Sequence, residues 1–163
     1  MNATQLIETL FPAISEENEE LLIEQSDIIV HKLKFINNEN RPTVFVKNES
    51  PNIPSSTADI VHHLIRIAGG IPSAHILDAD ILLLPHEGSW VYDFDALSSD
   101  ISISGSKAYK EDHLYYIQKK RLVDFSTEMN FLASLESLAE ILQPTYFAYG
   151  REGEDWIKFN LNY

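Results

Sequence analysis

The sequence has no cysteine and few basic residues, and both absences limit its chemistry. Without cysteine, the chain has no disulfide, no thiolate metal ligand and no cysteine nucleophile. Its 12 lysine and arginine residues stand against 25 aspartate and glutamate residues, which gives a formal net charge of -13 at pH 7. A negative charge of this size repels the phosphates of nucleic acids and of anionic membrane surfaces. The composition therefore predicts that nucleic acid is not a partner.

Long apolar runs are missing as well. The longest runs, such as residues 81–84, are far shorter than the ~20 residues that a membrane-spanning helix needs, so no transmembrane segment is predicted. The N-terminus, residues 1–6, has neither the basic start nor the apolar stretch of a secretory signal. The sequence therefore predicts either a protein that stays inside the cell or a processed fragment.

The 163 residues that are present, 44% of them hydrophobic, suffice for one domain with an ordinary core. β-Branched and aromatic residues at 43–47 predict a buried strand, and polar residues at 48–56 predict a loop. Thr57 is predicted to cap a helix whose apolar side chains recur at helical spacing, and Gly69 and Gly70 are predicted to end it. This order is typical of the first half of a βαβ unit.

Two helices are predicted ahead of this unit. The first covers residues 4–11, and the second follows Ser15, a suitable N-cap, and continues to about residue 37. The second helix is expected to have an inward apolar stripe, widened on one side, formed by Leu22, Ile29, Leu33 and Ile36 together with Leu21 and Ile28. We therefore expect N-terminal helices in residues 1–40 and an α/β lobe in residues 41–163.

Strands and helices alternate in the rest of the chain. Residues 81–84 and 114–117 are continuously apolar or aromatic and predict central strands. Ser89 is predicted to cap a helix through Leu97, and Thr127 a helix that ends before residue 144. Together these elements predict a three-layer α/β/α sandwich with a mainly parallel sheet.

Two further predictions concern less regular segments. Residues 101–105 are predicted to be extended, and residues 146–149 and 156–161 to pair as a hairpin, so the lobe ends in an aromatic hairpin or tail. The aromatic residues of this region either cover the sheet or form an association surface, because Tyr and Trp favour interfaces. They are Tyr146, Phe147, Tyr149, Trp156, Phe159 and Tyr163.

The order of these segments is similar to that of one protein family. Residues 43–47, the helix ending at Gly70, residues 78–84, residues 114–117 and the closing helix 132–144 follow one another in the same order as in that family. The chain resembles the C-terminal lobe of the helical-backbone (type III) substrate-binding proteins, which serve ABC importers of ferric siderophores, haem and cobalamin.

The resemblance implies a non-catalytic protein that binds an iron complex, haem or cobalamin, with an ABC permease as partner and a periplasmic or cell-envelope location. It implies that residues 16–37 are the helix that joins two lobes in the family, and it implies no cofactor. Nothing in the sequence corresponds to the family's N-terminal lobe, and residues 71–80 occupy the interval in which the family has a permease-docking helix. We therefore expect a single lobe of the fold.

Polar loops follow the three predicted strands. Because the C-terminal ends of parallel strands meet at one edge of a sheet, these loops are predicted to form a common rim that holds an anionic or hydroxylated ligand. Loops of this kind contact the ligand in the resembled family, although surface loops are polar in most proteins. The candidate ligand-binding residues are Asn48, Glu49, Ser50, Asn52, His86, Glu87, Trp90, Lys119, Lys120 and Arg121.

Two alternative functions would depend on other residues. A single lobe can act as a protein-interaction or dimerisation module, in which case the aromatic C-terminus supplies the contact surface and the chain is a homo-oligomer. A metal-dependent enzyme would use His62, His63 or His86, with Asp59 one helical turn before His63. The sequence names no third ligand for such a site, so we predict no metal and no catalytic residue.

Overall fold

The alternating sequence predicts a mainly parallel sheet between two helical layers. A computed structural model describes residues 1–47, 55–90 and 94–160. The described strands form one sheet in the order β2-β1-β3-β4-β5. They are β1 (Thr43–Val46), β2 (Ile71–Pro72), β3 (Ile81–His86), β4 (Leu114–Gln118) and β5 (Trp156–Phe159). The helices are α1 (Ala3–Leu10), α2 (Glu16–Leu33), α3 (Ser55–Ile67), α4 (Phe94–Ser99), α5 (Ile101–Ser104), α6 (Lys107–Lys110), α7 (Lys120–Val123) and α8 (Glu128–Leu142).

The sheet is mainly parallel, as predicted. Strand β1 pairs in parallel with β2 and β3, β3 pairs in parallel with β4, and only β5 is antiparallel to its neighbour. Val46 lies opposite Leu83, and Leu84 lies opposite Tyr116, so the three predicted central strands are neighbours. The three-layer α/β/α architecture with a long preceding helix is therefore confirmed.

The direction of the crossovers places helices on both faces. Helix α3 leads from β1 outward to β2, whereas α4–α6 lead from β3 in the opposite direction to β4. Because such crossovers are right-handed, connections that run in opposite directions lie on opposite faces. One core contains side chains of α1, α2, α3 and α8, and the other contains those of α4–α6. The strand order reverses between β1 and β3.

Local sequence signals set several helix ends. The Ser15 side chain accepts a hydrogen bond from Asn18 N at the start of α2, and Thr127 accepts one from Asn130 N at the start of α8. After α3, Gly69 has φ +96°, and a Cβ atom there would lie 2.9 Å from Gln143 Cγ. Only glycine satisfies both the left-handed backbone and the close packing.

The predicted width of the α2 stripe is wrong. Leu21 and Ile28 are 54% and 43% exposed, and the helix ends at Leu33. The buried positions are Leu22, Ser26, Ile29 and Leu33. Hydrophobicity alone does not show how broad a strip of a helix its neighbours cover, and here α1 and α8 cover a narrow one.

Four local predictions are corrected. Residues 101–104 are helical because the Asp100 side chain accepts from Ser102 N and Ile103 N and caps α5. Residues 71–72 form the edge strand β2 within the predicted connection, and α3 begins at Ser55, ahead of Thr57. The fourth correction concerns the C-terminus and is described next.

The predicted C-terminal hairpin does not form. Residues 156–159 pair with β4, while residues 146–149 have no strand conformation. The backbone N–H groups of Tyr149 and Arg151 donate to the Glu140 carboxylate on α8, and this side-chain acceptor replaces a strand partner. Phe147, Trp156 and Phe159 are buried, so these aromatics pack inside the protein.

The structure also bears on the predicted helix after Ser89 and on the predicted lack of a transmembrane segment. Helix α4 begins at Phe94, so Trp90 is outside it, and residues 91–93 are not among those described. Among the described residues, no helix is long and apolar enough to cross a membrane.

Candidate functional site

A cleft of about 490 Å³ lies at the C-terminal ends of β1 and β3, where the strand order reverses. Open α/β sheets bind ligands at this position because the connections on either side diverge to opposite faces and leave a crevice. The cleft, here called the switch-point cleft, is enclosed by the ends of β1 and β3, α3, the segment after β2, and α7. Its volume lies within the ~300–1,000 Å³ typical of ligand pockets.

The lining of the switch-point cleft is apolar with a few polar groups. Its apolar part is formed by Phe45, Val46, Ala58, Val61, Pro72, Ala74, Pro85, Leu122 and Val123. Its polar part is formed by His62, Arg66, Ser73 and Lys119. Within the part of the chain that the structure describes, no carboxylate lines it. Such a lining suits a ligand with an apolar body and an anionic or hydroxyl group.

Four of the predicted site residues lie outside the described residues. Asn48, Glu49, Ser50 and Asn52 belong to the segment of residues 48–54 that follows β1. The strand that precedes this segment, β1, ends at Val46, which lines the switch-point cleft.

The residues after β3 are held by local contacts. The His86 ring stacks on Trp90 with centroids 5.3 Å apart and meets Tyr116 edge-on at the same distance. His86 Nε2 lies 2.7 Å from Ser89 O, and because a carbonyl only accepts, this nitrogen carries a proton. Trp90 Nε1 donates to Gly153 O at 2.7 Å, which ties this loop to the one before β5. Trp90 packs against the α4–α6 core, and His86 contacts Tyr116 of that core. Neither ring is part of the lining of the switch-point cleft.

The three consecutive basic residues after β4 have three different environments. Lys119 lines the switch-point cleft, and its Nζ lies 3.4 Å from Glu87 Oε1. Lys120 is exposed at the start of α7. Arg121 is only 6% exposed, with Nε 3.0 Å from Asp155 Oδ1 at an angle outside hydrogen-bond geometry. The turn of α7 therefore separates side chains that the sequence grouped together.

Sequence reasoning missed two residues of the switch-point cleft. The sequence predicted His62 only as an alternative metal ligand and did not single out Arg66, yet they border this cleft one helical turn apart. The signal that could have identified them is the repeat of Ala58, His62 and Arg66 at four-residue spacing, beside the buried stripe of Val61, Leu64 and Ile65.

The alternative of a metal site depends on the histidines of α3 and on His86. In residues 1–47, 55–90 and 94–160, no group of three or more His, Asp or Glu side chains has a metal-binding arrangement. Partial burial lowers the pKa of His63, and nearby positive charges, including that of Arg66, lower it further.

Comparisons with known proteins identify the fold. No protein-family model matches the chain, and no curated protein sequence matches it. Its structure is similar to that of an ABC transporter solute binding protein from Sulfurospirillum deleyianum DSM 6946, with a TM-score of 0.53 and 14% sequence identity. The likeness covers 91% of this chain and 53% of that one, so the chain spans about half the length of the solved protein. The chain therefore shares an α/β fold with an ABC transporter solute-binding protein.

Proposed function

We propose that this chain is a non-catalytic ligand-binding protein related to the solute-binding proteins of ABC transporters, with its ligand site in the switch-point cleft. The observation that supports this most is the position of a pocket-sized, mainly apolar cleft at the reversal of strand order in a fold of this type. We propose an ABC permease as its partner for the same reason.

The lining favours an anionic ligand with a large apolar surface. Lys119 and Arg66 can pair with a carboxylate, and the rings and methyl groups of Phe45, Val61 and Leu122 can contact an apolar body. Haem has carboxylates on an apolar ring, cobalamin has a phosphate beside a corrin ring, and many iron–siderophore complexes are anionic, so we propose this class. Cobalamin is larger than a cleft of about 490 Å³, so this lobe would contact one side of it.

Residues that follow the strands are proposed to complete the site. Asn48, Glu49, Ser50 and Asn52 continue from β1, and Glu87 pairs with Lys119 at the cleft. His86, Trp90, Lys120 and Arg121 remain predicted contacts, although the structure gives each of them another environment. Contacts from several loops would give the ligand its orientation.

The test is a titration of the protein with haemin, a ferric siderophore and cyanocobalamin, followed by absorbance and thermal unfolding. We expect at least one probe to change both signals. Ala58→Trp should block the cleft and Lys119→Gln should weaken binding about tenfold, because a charge-assisted hydrogen bond is lost. Lys110→Gln, an exposed position away from the cleft, is the matched control for charge. If a folded protein responds to none of the three probes, the proposed ligand class is rejected.

A protein-interaction or dimerisation module is the second candidate function. Leu21, Ile28 and Phe35 recur every seven residues along α2 and the turn after it, and they are 54%, 43% and 80% exposed. Apolar side chains in one exposed stripe are typical of a surface that binds another helix.

Mass measurement over a range of concentrations tests this alternative. Ile28→Glu should dissociate a dimer built on the α2 stripe, whereas Met129→Glu, at another exposed apolar position, should not. A wild-type protein that stays monomeric at the highest concentration would count against homodimerisation.

A further inference from the structure

A second cleft, of about 560 Å³, lies beside the end of α2, the end of α3 and the residues before β1. Lys34, Arg41, Arg66 and His31 line it, and Asp27 is its one carboxylate among the described residues. Its apolar lining includes Val30, which is 43% exposed, and Ile67. This cationic cleft is distinct from the switch-point cleft, although Arg66 borders both.

The basic residues of the cationic cleft form no ion pair with any carboxylate in the described part of the chain. Outside the cleft, five basic residues form an ion pair with a carboxylate: Lys47, Lys107, Lys119, Arg121 and Arg151. Lys32, Lys110, Lys120 and Lys158 form none with the described carboxylates. Within the described ranges, Lys34, Arg41 and Arg66 form none. In a chain with 25 acidic residues, three unpaired cations around one cleft mark a local excess of positive charge.

The strongest evidence for a ligand in the cationic cleft is the environment of Arg41. Its side chain is half-buried, and Nη2 donates one hydrogen bond, of 3.1 Å, to Leu33 O. A guanidinium has five N–H donors, so most of its hydrogen-bonding capacity is unused by the described protein groups. Partial burial without a counter-ion is unfavourable for a cation, and a bound anion would offset that cost.

The ends of α2 and α3 account for only part of this charge. A helix C-terminus carries roughly half a negative charge, which nearby cations stabilise. Within this cleft, two such ends and Asp27 supply about two negative charges against the three positive charges of Lys34, Arg41 and Arg66. Glu39, Asp80 and Glu111 line a neighbouring cleft that Arg41 also borders, and none of them forms an ion pair with it. The lowered pKa of His63, caused by partial burial and then by positive charges that include Arg66, agrees with a remaining excess.

We propose that the cationic cleft binds a small anion that carries two or more phosphate or carboxylate charges. The Arg41 guanidinium is expected to bind one anionic group through paired hydrogen bonds, while Lys34 and Arg66 approach the others. Val30 and Ile67 then contact the carbon atoms of an organic anion.

Calorimetric titration of the full chain with citrate and with inorganic phosphate, at low ionic strength, tests the proposal. Both probes should bind, and added salt should weaken binding because it screens the charges. Arg41→Gln should weaken binding about tenfold or more, and Lys34→Gln about threefold or more. Lys34 is exposed, so its variant tests the site even if Arg41→Gln is poorly folded.

Two controls separate this proposal from its alternatives. Lys110→Gln makes the same change in net charge outside the cleft and should leave citrate affinity unchanged. Lys119→Gln changes only the switch-point cleft and should also leave it unchanged, so this result does not depend on the proposed function. No binding by the wild type, or equal losses in Lys34→Gln and Lys110→Gln, would overturn the proposal.

Discussion

The arginines that contact Asp155 and the basic residues of the cationic cleft differ in their ion-pair partners among the described residues. Arg151 Nη2 lies 2.8 Å from Glu136 Oε2, and Arg121 lies against Asp155, which is 2% exposed. Arg41, by contrast, has one carbonyl partner and no carboxylate in the described part of the chain. Carboxylates therefore neutralise the positive charge in the first region, whereas no described carboxylate forms an ion pair with Arg41 in the second.

The ion pairs form a continuous network beside the C-terminal half of α8. Its members are Arg121, Asp155, Arg151 and Glu136. Burial alone would lower the pKa of Arg151, but the hydrogen bond to Glu136 and the charges of Glu136 and Asp155 raise it. Glu140, also on α8, accepts hydrogen bonds from the backbone of Tyr149 and Arg151. The network fastens the irregular segment before β5 to α8. Substitutions in this network are expected to change the free energy of unfolding, whereas substitutions in the cationic cleft are expected to change anion affinity.

The largest loss in the free energy of unfolding is expected for Arg121→Ala. Removal of one partner of a buried pair leaves Asp155 poorly compensated, and the loss should be about 3 kcal/mol. This is the lower end of the usual range because Arg151 Nη1, at 3.3 Å, still reaches Asp155. Chemical denaturation measures the change, with Lys120→Ala as the neighbouring exposed control. A loss below about 1 kcal/mol would contradict the structural role of Arg121.

Glu140→Ala should cause the next largest loss in the free energy of unfolding. The Glu140 carboxylate accepts from Trp156 Nε1 at 2.8 Å as well as from two backbone N–H groups. Unsatisfied buried donors cost about 1–3 kcal/mol, so we expect a loss in that range by the same denaturation measurement. Glu154→Ala, at an exposed position, should change stability by less than about 0.5 kcal/mol. Equal losses of stability in Glu140→Ala and Glu154→Ala would contradict a specific role for the Glu140 carboxylate.

Lys47 and Asp100 are an intermediate case, paired but partly exposed, with side-chain exposures of 19% and 32%. The hydrogen bond from Lys47 is the main cause that lowers the pKa of Asp100. A lowered pKa in the folded state means that the stabilisation is present above the unfolded pKa of ~3.9 and is lost as the pH falls below it.

Acid denaturation of Asp100→Asn tests this pair. Wild-type stability should fall more than that of Asp100→Asn between about pH 5 and pH 2, and Asn retains the capping oxygen for α5. Identical acid dependence of the two proteins would show that the pair contributes nothing measurable.

The smallest change in stability is expected for Lys34→Gln in the cationic cleft. Lys34 is exposed and unpaired among the described groups, so unfolding free energy should change by less than about 0.5 kcal/mol. Its anion affinity should fall nonetheless, which separates a binding role from a structural one. A clear loss of stability in this variant would instead assign Lys34 to the end of α2.

The fold was predictable where a local pattern has one structural solution. Continuous apolar segments around Val44, Leu83 and Tyr116 indicated central strands, and Ser15 and Thr127 indicated helix starts. Residues 101–104 were predicted wrongly because the Asp100 cap outweighs a short apolar pattern. The width of the α2 stripe and the C-terminal hairpin were predicted wrongly because both depend on distant neighbours.

The candidate site was predictable only in its location. The rule for parallel strands placed it at their C-terminal ends, and Lys119 lies there. His62 and Arg66 were missed because they come from the flank of α3, whose distance from the sheet is a matter of packing. Arg121 lies elsewhere because α7 directs it towards Asp155.

The sequence by itself determined the alternation of strands and helices, the negative charge and the absence of thiol chemistry, because these follow from residue type and spacing. The tertiary structure decided which basic residues are neutralised and which line a cleft. Charges interact through space over distances that sequence separation does not measure, so only the packing of helices on the sheet brings Arg121 to Asp155 and leaves Arg41 without a carboxylate among the described residues.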